Sequence, residues 1–305
     1  MAAEEAQALE ALDVRIRTLL PEIYQDTFEA LQPAPMRSAG LKYAADGRVA
    51  WDEMWGSFCD LAMAGGPPHK GRLLESGTED AINADFDRYD EVVEEICRGI
   101  KMVTRLRAYP SPTPGWVSIT CRSDAMAEWL LRAIAMENVS VRRAGAVLEL
   151  PAAPHFRLEK EIKNVITVIA KTCHYWVGHM PLEQQQAIGD LFQTLAAESP
   201  LVTPDDAEGS GATNGDLARR IGDSIRQRTG LQCTAEAHAG WLGVECPDAR
   251  SAVWMMRALV ASNVLSRREG TVLFVPVNAS LDPRGDIVAA AVARVHEHAR
   301  ARGLC

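Results

Sequence analysis

No apolar run in this chain approaches the roughly 18 residues that a membrane-crossing helix requires, so none is expected. The start, Met1-Ala2-Ala3-Glu4-Glu5-Ala6, is acidic and lacks the basic and apolar regions of a secretory signal. Basic charge is in deficit: 32 Lys and Arg stand against 41 Asp and Glu, a net charge of −9. Nucleic-acid binders gain affinity by neutralising phosphates, so this balance argues against nucleic acid as a partner while leaving room for a local basic pocket. The seven cysteines are odd in number and lack paired spacing, in a chain of 305 residues too large to need staples. These absences predict a reduced, cytoplasmic, soluble protein.

Several chemical signatures are missing too. No Gly-x-Ser-x-Gly or His-Glu-x-x-His occurs. Gly66 to Gly71 has the spacing of a phosphate-binding loop, but Arg72-Leu73 stands where Lys-Ser/Thr is needed, and Pro67 and Pro68 remove amide donors. Gly209-Ser210-Gly211 has no preceding strand and the wrong spacing for a dinucleotide fingerprint. Cys173, His174 and His179 fall on one predicted helix, His296 and His298 on another, at separations that do not share a helical face. Packing or surface roles are favoured for them, although matching the two helices sets Cys173 opposite His298 and leaves a paired ligand set open. No metal and no cofactor are assigned.

What the chain does have is the same sequence twice, at an offset of 125 residues. Gly115-Trp116-Val117-Ser118-Ile119-Thr120-Cys121 returns as Gly240-Trp241-Leu242-Gly243-Val244-Glu245-Cys246, and 115–153 aligned with 240–278 gives 15 identities in 39 positions without a gap. That length marks a domain duplication rather than a solenoid period. Ile96 and Ile100 match Ile221 and Ile225, four apart as a helical face demands. Val117, Ile119 and Cys121 alternate as in a half-buried strand, which makes Cys121 and Cys246 buried small hydrophobes. A helix over about 123–137 carries Met126, Trp129, Leu130, Ala133 and Ile134 on one stripe. Asn138 and Asn263 suit its left-handed C-terminal residue, and Gly145 and Gly270 suit a hairpin turn. Pro151 and Pro276 end the last strand.

The order is α-β-β-α-β-β-α, twice, which predicts an α+β fold of tandem four-stranded antiparallel sheets with helices on one face, after a mainly helical N-terminal segment. The expected divisions are 1–86, 87–180, a helix and flexible linker over 181–213, and 214–305. The element order resembles that of the pterin carbinolamine dehydratases. Those enzymes carry paired histidines before a proline after the middle helix; Asn138-Val139-Ser140-Val141 and Asn263-Val264-Leu265-Ser266 stand there, so the resemblance carries no activity across.

The unrepeated segment reads as a helix over about 4–31 kinked at Pro21, a hairpin turn at Asp46-Gly47, and a second helix over about 52–64. The densest group of unusual residues follows, Gly65-Gly66-Pro67-Pro68-His69-Lys70-Gly71-Arg72. With Arg37, Lys42 and Arg48 upstream, segments 32–51 and 65–72 together hold five Lys and Arg against one acid, Asp46, a local reversal of charge such as an anion pocket needs. Lys70, Arg72, Arg37 and Lys42 are the candidate ligand-binding residues, Trp55 an apolar wall, His69 a proton-transfer residue and Asp60 its orienting partner. Cys59, among Trp55, Phe58 and Asp60, reads as core packing and is the one cysteine to test for reactivity. Arg132/Arg257, Arg142/Arg267 and Arg143/Arg268 read as structural pairs or as two related anion sites. Two functions stay open on a scaffold whose repeats form a pseudo-dimer: binding of a small anionic metabolite, extending to metal-free acid–base chemistry of a lyase, isomerase or dehydratase type, or a noncatalytic regulatory or assembly module that uses the paired repeats as a docking surface. Homodimerisation is equally open.

Overall fold

Period-two stretches become strands and 3.6-residue periods become helices in a computed structural model that describes residues 2–28, 40–55, 59–205, 211–234 and 239–305. Helices α1 (Ala2–Leu19) and α2 (Glu22–Gln25) precede 3-10 turns at Trp51–Glu53 and Ala62–Ala64. Then come α3 (Glu79–Ala84), α4 (Phe86–Thr104), β1 (Arg107–Pro110), β2 (Trp116–Thr120), α5 (Asp124–Met136), β3 (Arg142–Ala144), β4 (Val147–Pro151) and α6 (Lys163–Gly178). After α7 (Leu182–Glu198) the order returns as α8 (Gly211–Thr229), β5 (Cys233–Thr234), β6 (Trp241–Glu245), α9 (Ala249–Val260), β7 (Arg267–Glu269), β8 (Val272–Pro276) and α10 (Asp286–Ala301). The fold is α+β with two similar sheet units. Among the described residues no helix is long and apolar enough to cross a membrane.

The chain divides into two compact units: a contiguous one, Gln32–Gln186, and a split one made of Met1–Leu31 and Ala187–Cys305. In the contiguous unit the antiparallel strands lie in the order β1-β2-β4-β3. Val117 pairs with Leu150 and Ile119 with Leu148, all four wholly buried on the phase that meets the helices. The split unit repeats this as β5-β6-β8-β7, with Leu242 opposite Val275 and Val244 opposite Leu273. Ser123 caps α5 by accepting the Met126 N–H at 3.1 Å, and Asp248 caps α9 by accepting that of Ser251 at 2.7 Å. Asn138 and Asn263 close these helices with φ of 61° and 58°.

The duplication reaches further back than a fixed offset shows. Leu74 makes a parallel bridge to Val139, and Val202 makes one to Val264. Asn138 Nδ2 donates to the Lys70 carbonyl and Asn263 Nδ2 to that of Ser199, each at 2.8 Å. Gly77 and Asp205 then donate to the carbonyls of Ala152 and Val277. This approach explains the glycine of each Gly-Trp motif: a Cβ on Gly115 would lie 2.8 Å from the Gly77 carbonyl oxygen, and one on Gly240 2.7 Å from that of Asp205.

Three stretches differ from expectation. The helix over 4–31 ends at Leu19, and Pro21 starts a separate turn of helix instead of kinking one. The helix over 52–64 is replaced by two 3-10 turns; Trp51, Met54 and Leu61 are buried without helical spacing, and residues 56–58 lie outside those described. Within the stretch read as a linker, 199–205 is hydrogen-bonded to the second copy and Val202 is fully buried. The Asp46-Gly47 turn forms as expected, with Tyr43 bridged to Val49.

Candidate functional site

Residues 59–72 are held to the contiguous unit by a buried ion pair that no motif announces. Glu137, just past α5, and Lys171 of α6 are both fully buried, and Lys171 Nζ lies 2.8 Å from Glu137 Oε1. Glu137 Oε1 also accepts the Ala62 N–H at 2.9 Å, and Oε2 accepts the His69 N–H at 2.8 Å. The three ammonium hydrogens of Lys171 are matched by Glu137, the Asp60 carbonyl at 3.1 Å and Cys59 Sγ at 3.4 Å. A buried charge pair is tolerated when its hydrogen-bonding capacity is met in this way. Burial opposes the Lys171 charge, but Glu137 and then Cys59 outweigh it and hold its pKa above the ordinary value.

His69 sits half-buried beside this pair. Its Nε2 is 3.0 Å from Asn164 Oδ1 on α6, which places the ring proton on Nε2. The other nitrogen, Nδ1, is enclosed and has no hydrogen-bond partner among the described residues. Burial pushes the imidazole pKa down to about 4; the opposed charges of Glu137 and Lys171 act next. At neutral pH His69 is therefore uncharged. Lys70 is half-buried and Arg72 exposed, and neither makes an ion pair with any described residue.

The other candidates fall elsewhere. Asp60 reaches Lys171 through its backbone carbonyl, while the hydrogen bond that orients His69 comes from Asn164. Lys42 donates to the Glu53 carbonyl at 2.7 Å, and Arg48 pairs with Glu94 and Glu95 of α4 at 3.0 and 3.1 Å. The excess of cations read along the chain is thus partly neutralised by carboxylates that the fold brings up from α4. Trp55 is half-buried, and Arg37 lies outside the described residues. A hollow of about 270 Å³ at Tyr43, Arg48, Arg88 and Glu91 is lined by charges already paired with one another or with Glu94 and Glu95.

The duplicated arginines all have partners within their own unit. Arg142 stacks over Trp116 at 3.9 Å and Arg267 over Trp241 at 5.0 Å, while Arg143 and Arg268 each donate to the carbonyl of the turn glycine at 3.1 Å. Arg132 pairs with Glu128 at 2.9 Å; its counterpart Arg257 faces Val253 in place of that glutamate and donates to the Phe28 carbonyl. Cys173 is buried, which raises its pKa. The Nε2 atoms of His174 and His179 are 3.1 Å apart. No group of three or more potential metal ligands occurs among the described residues.

Asn164, Glu137 and Lys171 escape sequence reading because no local motif marks them and their partners lie far along the chain. The duplication does mark them: their counterparts are Ala289, Ser262 and His296, so the carboxamide, the carboxylate and the ammonium are specific to the first copy. Comparison with protein-family models, with curated proteins and with solved structures returns no match.

Proposed function

We propose that this protein binds a small anionic metabolite at the loop from His69 to Arg72. One observation carries the reading: Lys70 and Arg72 stand two positions apart in the chain, with no carboxylate partner among the described residues, whereas Lys42 and Arg48 upstream are already engaged. The loop that presents them is fixed at its base by Glu137, which accepts the His69 N–H, and by Asn138, which donates to the Lys70 carbonyl. A cation on an anchored backbone loses less freedom on binding than one on a free loop. His69 acts as a positioning residue, clamped by Asn164. An imidazole with a pKa near 4 has no proton to give at neutral pH, which favours binding over acid–base turnover at this residue.

The test is the thermal midpoint of the wild type, Lys70→Ala, Arg72→Ala and the double variant with inorganic phosphate, phosphorylated sugars and di- and tricarboxylates. Binding to the folded state raises the midpoint by mass action. The expected result is a shift with at least one anion class, cut by more than half in either single variant and abolished in the double. Equal shifts in wild type and double variant, or no shift with any anion, would reject the site.

A further inference from the structure

The two copies differ most where the segment preceding each sheet meets the closing helix. In the contiguous unit this junction is filled: Glu137 and Lys171 occupy it with the chain of 59–70, and Val165, Ile166 and Ala170 of α6 are buried. In the split unit the corresponding positions hold Ser262, His296, Ala290, Ala291 and Val295. The element beside them is α1, and an open groove of about 400 Å³ runs between it and α10. Ala8, Ala11 and Leu12 of α1 form one wall, and Ala290, Ala291 and Val295 of α10 form the facing one. The two helix walls are apolar and small-residued, and the volume lies within the range of small-molecule sites.

Six polar side chains, Arg15, Glu198, Ser199, Ser262, Arg294 and His298, complete the lining. Arg15 closes one side in a bidentate pair with Glu198, at 2.6 and 3.1 Å, so the carboxylate there is neutralised. Ser199 and Ser262 contribute the floor of that side. On the α10 side Arg294 is exposed and forms no ion pair with any described residue. His298 beside it is kept below its usual pKa, by burial first and then, against the pull of Glu297, by Arg294, so it adds no second charge at neutral pH. One uncompensated guanidinium next to apolar walls fits a ligand with one carboxylate and an apolar body.

We infer that the split unit binds a small amphipathic carboxylate, its apolar body between α1 and α10 and its carboxylate on Arg294. This site is separate from the His69–Arg72 loop and does not depend on it.

Decanoate, below its micelle concentration, is the probe, with decanol as the uncharged control, in calorimetric titrations of the full chain. Wild type is expected to bind one decanoate. Arg294→Gln should weaken it about tenfold, the loss of one charge-assisted hydrogen bond, without changing decanol binding. Ala11→Leu, at an exposed helical position that accepts leucine without disturbing the fold, and Ala290→Leu should each block decanoate and decanol alike. Circular dichroism of the variants checks that the fold is kept. Absence of decanoate binding by wild type, or binding undiminished in both leucine variants, overturns the groove. Equal affinity of wild type and Arg294→Gln for decanoate overturns the carboxylate assignment.

Discussion

At the scale of single residues, His69 gives this protein a definite acid sensitivity. Its folded pKa of about 4 lies below the ordinary 6.5, so above pH 6.5 it is neutral in both states and contributes no slope. As pH falls from 6.5 towards 4 the unfolded chain takes up a proton that the folded chain refuses, and stability is lost across that window. Between pH 7 and pH 5 the loss from this one group is roughly 2 kcal/mol. His69→Gln should flatten the urea-measured stability between those two pH values by about that amount relative to wild type, with the slope from His174, His296 and His298 remaining in both. Parallel slopes would mean that the imidazole is not enclosed. Sequence reading selected His69 from its setting among glycine, proline and cations, and it selected Lys70 and Arg72 with it. It could not supply the partners, because Asn164, Glu137 and Lys171 arrive from 68 to 112 positions along the chain and no local spacing links them to the loop. The null contribution of Lys42 and Arg48 was hidden for the same reason: their acceptors, Glu53 among them, meet them only in the folded chain.

At the scale of elements, the repeated Asn after the middle helix is a joint. Its left-handed backbone turns the chain towards β3 or β7, and its side chain ties down the carbonyl of Lys70 or Ser199. The two tasks can be separated. Asn138→Gly keeps the backbone angle and loses the hydrogen bond; Asn138→Ala loses both, and an L-residue in this conformation costs about 1–2 kcal/mol. Alanine should therefore be less stable than glycine by about 1 kcal/mol in chemical denaturation, the reverse of their order inside a helix. Equal losses would show that the hydrogen bond alone matters. These joints, the strands and the long helices were legible because each repeats a local rule: alternation, a 3.6-residue stripe, a residue that tolerates positive φ. The stretch 52–64 was not, since Trp51, Met54 and Leu61 are buried one by one in irregular chain, and a cluster of large apolar residues reads as a helix when tertiary contacts are unseen. The segments 74–77 and 202–205 were missed as part of the repeat because their spacing, from Leu74 to Val202, departs from 125 and they share few side chains.

At the scale of the molecule, the consequential feature is that one unit is discontinuous. The contiguous unit, Gln32–Gln186, interrupts the other between α1 and the rest of its fold. A repeat in sequence shows which residues are copied but not which flanking helix packs on which copy, so this arrangement had no sequence signal. Within the split unit α1 and the chain after it are tied by Arg15 to Glu198, by Arg302 to Asp13 and by the Phe28 carbonyl to Arg257. Burial pushes the Arg257 pKa down to about 9, with Arg268 adding to the effect, so its guanidinium depends on that carbonyl. Residues 32–186 expressed alone should unfold in one cooperative transition, because every strand of their sheet and all helices packed on it are present. Residues 187–305 alone keep their sheet but leave Arg257 without the Phe28 carbonyl and α10 without α1. Their midpoint should be lower, and should rise with the concentration of added peptide 1–31, as for any ligand that binds only the folded state. A midpoint for 187–305 that is indifferent to that peptide would place α1 outside the unit and remove one wall of the groove beside it.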